Sequence, residues 1–174
     1  RSMTYMGSQL YVGLGDEAGE AEVWTCTACS CGTPSWTKIG GDAINSSWAD
    51  AAYEQVQSLA NDGTNIYAGI GTGGNEGEVW KWNGSSWSQI GGDGLNSGWT
   101  SGSVQYSLLY TGSTLYATYY YGTTAAGIYS YNGSSWTQFA GQYVNKSWGS
   151  GSLTSPHSMT SHNGKLYAGM ASTG

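Results

Sequence analysis

One unit of about 50 residues is repeated along the chain, and this repetition limits the possible folds more than any other feature. Its clearest copy is EVWKWNGSSWSQIGGDGLNSGW, residues 78–99. Tryptophans within the unit recur 51 and 49 residues apart, at Trp36, Trp87 and Trp136. The tryptophans that end the unit keep the same spacing, at Trp48, Trp99 and Trp148. A fixed period of this length is typical of solenoids, propellers and repeat arrays.

Each unit contains four short runs that are typical of β-strands. In the second unit they cover residues 55–60, 66–70, 78–82 and 87–90. Asn83-Gly84 separates two aromatic runs, and Asn132-Gly133 does the same in the third unit. Such pairs predict tight hairpin turns in which both residues take positive φ. No window has an apolar stripe of helical period, so we expect essentially no helix.

Four antiparallel strands in each unit predict an all-β fold, a β-propeller made of four-stranded blades. The units cover approximately residues 1–48, 49–99, 100–148 and an incomplete 149–174, within one domain. The last unit has only two strand-like runs, so the chain holds about three and a half blades, whereas closed propellers have about 4–8. Because open sheet edges invite pairing, we expect either self-association or a longer parent chain to close the ring.

The spacing of the aromatic residues resembles two known families. Six residues separate Trp80 from Trp87 and Tyr129 from Trp136, which resembles the aromatic-then-tryptophan spacing of kelch repeats. The paired glycines of that repeat fall in a later loop here. The sequence SWTKIGG at residues 35–41 is similar to the blade end of tachylectin-2-type lectin propellers. Both resemblances imply a propeller, and the second implies carbohydrate binding.

Composition disfavours several classes of function. Only 9% of the residues are charged, and eleven acidic against five basic side chains give a net charge of −6. We expect no nucleic-acid partner, because phosphate recognition needs clustered Lys and Arg. No apolar run approaches the roughly 20 residues of a membrane span. Low charge with abundant Ser, Thr, Asn and Gly predicts an extracellular or secreted protein.

The loop that follows each fourth strand is the candidate ligand-binding site. The recurring residues are Asp42, Asn45 and Trp48, then Asp93, Asn96 and Trp99, then Asn145 and Trp148, with Gln142 replacing the aspartate. Two interpretations remain open. In one, the asparagine caps a turn and the tryptophan packs between neighbouring units. In the other, each loop binds a sugar, with the indole facing the ring and Asp and Asn bonding its hydroxyls.

Three cysteines, Cys26, Cys29 and Cys31, lie in an insertion of five residues between the third and fourth strands of the first unit. A disulfide between two of them is expected rather than a metal site. A tetrahedral site needs a fourth ligand, and His157 and His162 are distant in sequence. We expect no metal and no cofactor.

These features predict a non-catalytic binding module, carbohydrate-binding and lectin-like through the recurrent loops. The alternative is a structural or adhesive repeat module of a larger extracellular protein. The partner is accordingly a glycan or a cell-surface or matrix protein. We expect no enzyme, because the distribution of acids does not indicate a catalytic carboxylate pair in a cleft. Trp87 and Trp136 are expected to be buried against their own hairpins rather than to line a site.

Overall fold

The computed structural model describes residues 1–27, 29, 33–49, 52–71, 77–99, 107–121, 125–141, 144–145, 148 and 153–172. In these parts of the chain, the strands follow one another as four antiparallel sheets. Three of these sheets have four strands each, and the last has two. An all-β fold built from a repeated four-stranded unit is therefore confirmed.

The strands are numbered in chain order. Sheet 1 contains β1 (Ser2–Met6), β2 (Gln9–Leu14), β3 (Glu22–Thr27) and β4 (Ser35–Gly40). Sheet 2 contains β5 (Gln55–Asn61), β6 (Ile66–Gly71), β7 (Glu78–Trp82) and β8 (Trp87–Gly91). Sheet 3 contains β9 (Leu108–Thr111), β10 (Thr114–Tyr121), β11 (Ala125–Tyr131) and β12 (Trp136–Gly141). Sheet 4 contains β13 (Leu153–His162) and β14 (Lys165–Ser172).

The predicted strands coincide with observed ones and differ mainly at their ends. The largest difference is β13, which runs through Pro156 instead of starting after it. A register shift between Pro156 and Ser158 lets the strand bend around a residue that cannot donate a ladder hydrogen bond. Helical structure in the described residues is limited to short 3-10 turns at Ile44–Ser46 and Leu95–Ser97. No helix in the described parts is long and apolar enough to cross a membrane.

The hairpin between β7 and β8 has a different turn from the predicted one. The end of β7, Trp82, pairs with Trp87, so the connection has four residues, 83–86. Gly84 has a φ of 98°, whereas Asn83 is not among the residues with positive φ. The Asn83 Oδ1 instead accepts two backbone N–H groups that follow it, at 2.9 Å each. The hairpin was predicted correctly and the turn type was not, because the asparagine side chain closes the turn itself.

Side chains of sheet 2 alternate between two hydrophobic cores, one on each face. Ile66, Ala68 and Ile70 on β6 belong to the core between sheets 1 and 2. Tyr67 belongs to the core between sheets 2 and 3. Because both faces of the sheet are covered, all six residues of β6 are buried and the strand is apolar without alternation.

Neighbouring sheets touch along their first and fourth strands. β5 lies against β1, and β9 lies against both β5 and β13. Asn61 Nδ2 on β5 donates a hydrogen bond of 2.7 Å to Thr4 Oγ1 on β1. Trp87 Nε1 on β8 donates to the Ile39 carbonyl on β4 at 2.8 Å, and sheet 3 repeats this bond to sheet 2 at 2.7 Å. Sheets 1 and 2, and likewise sheets 2 and 3, are thus held together at both edges.

One face of sheet 1 stays apolar and partly open. It is lined by Val12, Leu14, Trp24 and Trp36, which border a groove of about 380 Å³. Leu14 is 41% exposed and Trp36 is 45% exposed. The equivalent face of sheet 2, which includes Ile70, packs against sheet 1. Within the described residues no sheet covers this face of sheet 1.

Candidate functional site

The loop after the fourth strand has the same backbone in sheets 1 and 2. We call residues 41–48 loop 1 and residues 92–99 loop 2. Each loop is closed by a hydrogen bond from the N–H of its third residue to the carbonyl of its last, at 2.9 Å in loop 1 and 2.8 Å in loop 2. Asp42 and Asp93 have φ values of 51° and 52°. The two loops therefore place equivalent residues in equivalent positions.

The asparagines cap these loops. Asn45, Asn96 and Asn145 have φ values of 54°, 53° and 49°. The Nδ2 of each donates to the carbonyl six residues earlier, at 3.1, 3.0 and 2.7 Å respectively. Asparagine tolerates the left-handed conformation and can close a turn through its side chain. The capping interpretation is therefore confirmed, and the amide nitrogens are used within the protein.

The tryptophans that end loops 1 and 2 are buried, at 3% exposure each. Trp48 Nε1 donates to the Ala21 carbonyl at 2.7 Å. Its ring meets Trp80 and Trp87 edge to face, with centroids 5.7 and 5.3 Å apart. Trp99 makes the equivalent contacts between sheets 2 and 3. Neither indole offers a free face, so the prediction that they stack on a sugar is corrected to inter-sheet packing.

Only part of the third loop is described. Asn145 and Trp148 lie within the described residues, and Gln142 lies outside them. Trp148 is half-buried. Its Nε1 is buried without a hydrogen-bond partner among the described residues, unlike the same atom in loops 1 and 2. Among the described residues of the third loop, Asn145 therefore keeps the equivalent hydrogen bond and Trp148 does not.

Loops 1 and 2 present an acid and an aliphatic side chain to solvent. Asp42 and Asp93 are exposed. Ile44 and Leu95, two residues further along, are 36% and 38% exposed. A sugar has hydroxyl groups beside an apolar ring face. The aspartate of each loop can accept hydrogen bonds from the hydroxyl groups, and the aliphatic side chain can contact the ring face.

Beneath loop 1, two carboxylates hold an ammonium group. Lys38 Nζ forms ion pairs with Glu22 and Asp42. Trp24 Nε1 donates to the other oxygen of Glu22 at 2.7 Å. Burial lowers the pKa of Lys38, but its hydrogen bonds to Asp42 and Glu22 outweigh that effect and raise the pKa above its ordinary value. We call this arrangement the filled cradle.

Sheet 2 repeats the carboxylates without the lysine. Glu78 and Asp93 stand at the equivalent positions, and Gln89 stands where the lysine would be. Gln89 Nε2 donates to the Gly91 carbonyl at 3.4 Å, so its amide is directed along its own strand. Asp93 adds to the raised pKa of Glu78, so its carboxyl group lies close to that of Glu78. We call this pair the open cradle.

Glu78 is nearly completely buried, at 4% exposure. Its oxygens accept hydrogen bonds from the Tyr53 hydroxyl at 2.7 Å and from Trp80 Nε1 at 2.6 Å. Burial raises the pKa of Glu78 to about 7, the bonds from Tyr53 and Trp80 oppose this, and the neighbouring Asp93 adds to it. At neutral pH this carboxyl is therefore partly protonated, which sequence patterns did not reveal.

Sheet 3 has lost the cradle. Gly127 stands at the position of the buried glutamate. A Cβ on Gly127 would lie 3.0 Å from Gln138 Nε2. The amide of Gln138 therefore occupies the space that a glutamate side chain at this position would need. The three units therefore carry a filled cradle, an open cradle and none.

The enlarged hairpin of sheet 1 contains a disulfide. Cys26 and Cys29 are bonded, with their Cα atoms 5.9 Å apart. Cys31 lies outside the described residues. Among the described residues no group of three or more His, Cys, Asp and Glu side chains is placed to hold a metal ion.

Two clefts between sheets were not indicated by the sequence. One lies between sheets 2 and 3 beside Asp62, Tyr67 and Tyr110, and one lies between sheets 3 and 4, each of about 220 Å³. Typical ligand pockets have about 300–1,000 Å³. Burial alone would raise the pKa of Asp62, but hydrogen bonds from Asn65, Tyr67 and Thr64 lower it to about 2. The Asp62 carboxylate is thus already bonded within the protein, and both clefts are smaller than typical ligand pockets, which makes the loops the better candidate.

No protein-family model matches this chain, and no curated protein matches it. What the chain does is therefore inferred from its own geometry.

Proposed function

We propose that the chain is part of a β-propeller and acts as an extracellular, non-catalytic module that binds carbohydrate. The four-stranded sheets follow one another in chain order, and their first strands lie side by side. Blades whose first strands surround a central axis would have the same order, which supports the proposal. The resemblance to kelch and tachylectin-2-type repeats supports the same fold.

The observation that carries the binding proposal is the repetition of the loop surface. Loops 1 and 2 share a backbone, a capping asparagine and a buried tryptophan, and each exposes one aspartate and one aliphatic side chain. Because the indoles are packed between sheets, Ile44 and Leu95 are the side chains that contact the apolar face of a sugar ring. Asp42 and Asp93 then accept hydrogen bonds from hydroxyl groups.

Sites of this kind are shallow, so each is expected to be weak on its own. Repetition on one rigid scaffold compensates, because linked weak sites gain apparent affinity when geometry lets them engage together. The ligand class that fits best is therefore a glycan displayed in many copies.

A glycan array tests the proposal with the wild-type chain and two variants. The double variant Ile44→Ser/Leu95→Ser should lose capture on dense glycan surfaces and keep its Tm, because both side chains are at the surface. Met3→Ser, at a residue that is 70% exposed outside the loops, is the matched control and should keep capture. Unchanged capture by the double variant would refute the assignment of these loops.

A structural or adhesive module that binds protein is the second candidate. The partly open apolar face of sheet 1 favours it, since Trp36 and Leu14 leave a hydrophobic groove at the surface. A blank result on all glycans of the array, together with capture of a cell-surface or matrix protein in a separate binding assay, favours the second candidate.

A further inference from the structure

Sheet 1 leaves open the face that each later sheet turns towards the sheet before it. We call this the front face. In sheet 2, Ile70 and Trp87 lie on it, belong to the core between sheets 1 and 2, and are 0% and 3% exposed. Leu14 and Trp36 stand at the equivalent positions of sheet 1 and are 41% and 45% exposed. Exposed apolar patches of this kind mark interaction surfaces.

Sheet 4 leaves the opposite face open, the back face, which in the other sheets is turned towards the sheet that follows. Tyr11 of sheet 1 lies in the core between sheets 1 and 2, and Tyr67 of sheet 2 lies in the core between sheets 2 and 3. These two tyrosines are 5% and 6% exposed. Tyr167 stands at the equivalent position of sheet 4 and is 49% exposed. Within the described residues no sheet covers it.

The junctions inside the molecule show what fits each open face. At the first junction the back face of sheet 1 packs against the front face of sheet 2, with Tyr11, Ile70 and Trp87 in one core. At the second junction Tyr67 and Trp136 share a core in the same way. The chain thus makes the same contact twice, and the two halves of that contact are exposed on sheet 1 and sheet 4.

The distribution of charge favours contact between unlike faces. Residues 1–93, which contain sheets 1 and 2, hold all eleven acidic side chains and three basic ones. Residues 94–174, which contain sheets 3 and 4, hold two lysines and no acid. Two copies that met through their sheet 1 faces would bring negative halves together, whereas contact of sheet 1 with sheet 4 joins halves of opposite charge.

We propose that a second copy of this chain covers the open face of sheet 1 with its own sheet 4, head to tail. Tyr167 of one copy then packs against the front face of the next, as Tyr11 and Tyr67 do inside the chain. Such a contact leaves one free face at each end, so copies form a ring if the rotation closes and longer arrays if it does not. This assembly goes beyond the proposed carbohydrate binding and does not depend on it.

Light scattering after size-exclusion chromatography tests the proposal with the whole chain at micromolar concentration. The front-face variant Leu14→Ser/Trp36→Ser and the back-face variant Tyr167→Ser should each be monomeric, because every contact needs one intact face of each kind. Both should keep the wild-type Tm, since the substituted side chains are exposed. Leu95→Ser, at an exposed residue of loop 2, is the matched control and should associate like the wild type.

Mixing the two variants is the decisive step. The back-face variant supplies the only intact front face and the front-face variant supplies the only intact back face. An equimolar mixture should therefore form a complex of one copy of each and nothing larger. This recovery requires both variants to be folded, so it also separates loss of contact from loss of structure.

A back-face variant that associates like the wild type would show that sheet 4 takes no part, and would overturn the proposal in favour of contact between two sheet 1 faces. A mixture that stays monomeric would show that the two faces do not bind each other. A wild-type chain that stays monomeric would also contradict the proposal, and the glycan array would then decide the proposed function independently.

Discussion

At the scale of single residues, Trp36 and Trp87 occupy the same position of the repeat in different surroundings. Trp36 is 45% exposed and Trp87 is 3% exposed. The Trp87 ring contacts Trp82 on its own hairpin and Trp48 from the preceding loop, and its N–H reaches β4. The predicted burial of Trp87 and Trp136 against their own hairpins is confirmed, with contacts to the neighbouring sheet in addition.

Trp87→Ala should therefore lower the free energy of unfolding by about 3–5 kcal/mol, the usual cost of removing a buried tryptophan. Urea denaturation measures it. Trp36→Ala is the matched control and should cost much less, because its ring is already half in water. Equal losses in the two variants would show that burial does not set the difference.

Trp99→Ala tests the role of the loop tryptophans. Loss of this ring removes contacts with Tyr129 and Trp136 and a hydrogen bond to the Gly77 carbonyl. The Tm should fall by roughly 10 °C. Leu95→Ala in the same loop should leave the Tm nearly unchanged. An unchanged Tm for Trp99→Ala, together with lost glycan capture, would restore the sugar-stacking interpretation.

Glu78 should make stability depend on pH. Its pKa is about 7 in the folded chain against an ordinary value of 4.5, because burial disfavours the charged form. Between these values the folded chain keeps a proton that the unfolded chain has lost. The stability is therefore full below about pH 4.5 and falls as the pH rises to about 7, by on the order of 3 kcal/mol.

Denaturation of the wild-type chain at pH 5 and pH 8 measures this effect. Glu78→Gln, which is neutral at both values, should flatten the dependence. A wild-type chain that becomes more stable between pH 5 and pH 8, by an amount that the variant abolishes, would contradict the direction argued here.

At the scale of elements, the hairpin turns are set by a single glycine and an asparagine side chain. Gly84 has a φ of 98°, and nothing lies within 4 Å of a Cβ built there. Gly84→Ala should cost about 1–2 kcal/mol through backbone conformation alone, since there is no clash. Calorimetry of this variant checks the value, with Ser85→Ala in the same turn as control. No loss would mean that the loop changes its conformation at little cost.

The packing of the sheets also explains why equivalent strands of different units are buried to different extents. β6 lies between two cores, so its successive side chains are buried on both faces. β2 has the same place in sheet 1, but Leu14 on it is 41% exposed because no described sheet covers that face. Sequence spacing predicts both strands equally well and does not reveal this difference.

At the scale of the whole molecule, the open face of sheet 1 should promote self-association. Its equivalent in sheet 2 is covered by the preceding sheet and by Trp48, so we expect another copy of the chain to cover the apolar groove of about 380 Å³. Light scattering at micromolar concentration should therefore show species larger than the monomer. Leu14→Ser/Trp36→Ser should shift the distribution to monomer, and Ile44→Ser, in loop 1, should not. A wild-type chain that stays monomeric would count against this.

The sequence by itself determined the repeat, the strands and the place of the loops. The reason is local: alternation of apolar side chains, Asn-Gly pairs and a constant period depend on neighbours in the chain. The asparagine caps follow in the same way, because each Nδ2 binds a carbonyl only six residues earlier. The disulfide joins Cys26 to Cys29, also close in sequence.

Only the tertiary structure decided which of these residues are free to meet a ligand. Trp48 and Trp99 looked suitable for stacking on a sugar, yet rings from the next sheet cover them. Glu78 is an ordinary acid in the sequence, and its pKa rises because burial in the folded chain disfavours the charged form and the neighbouring Asp93 adds to this effect. Burial and the electrostatic field of a carboxyl depend on residues tens of positions apart, and these meet only when one sheet packs on another.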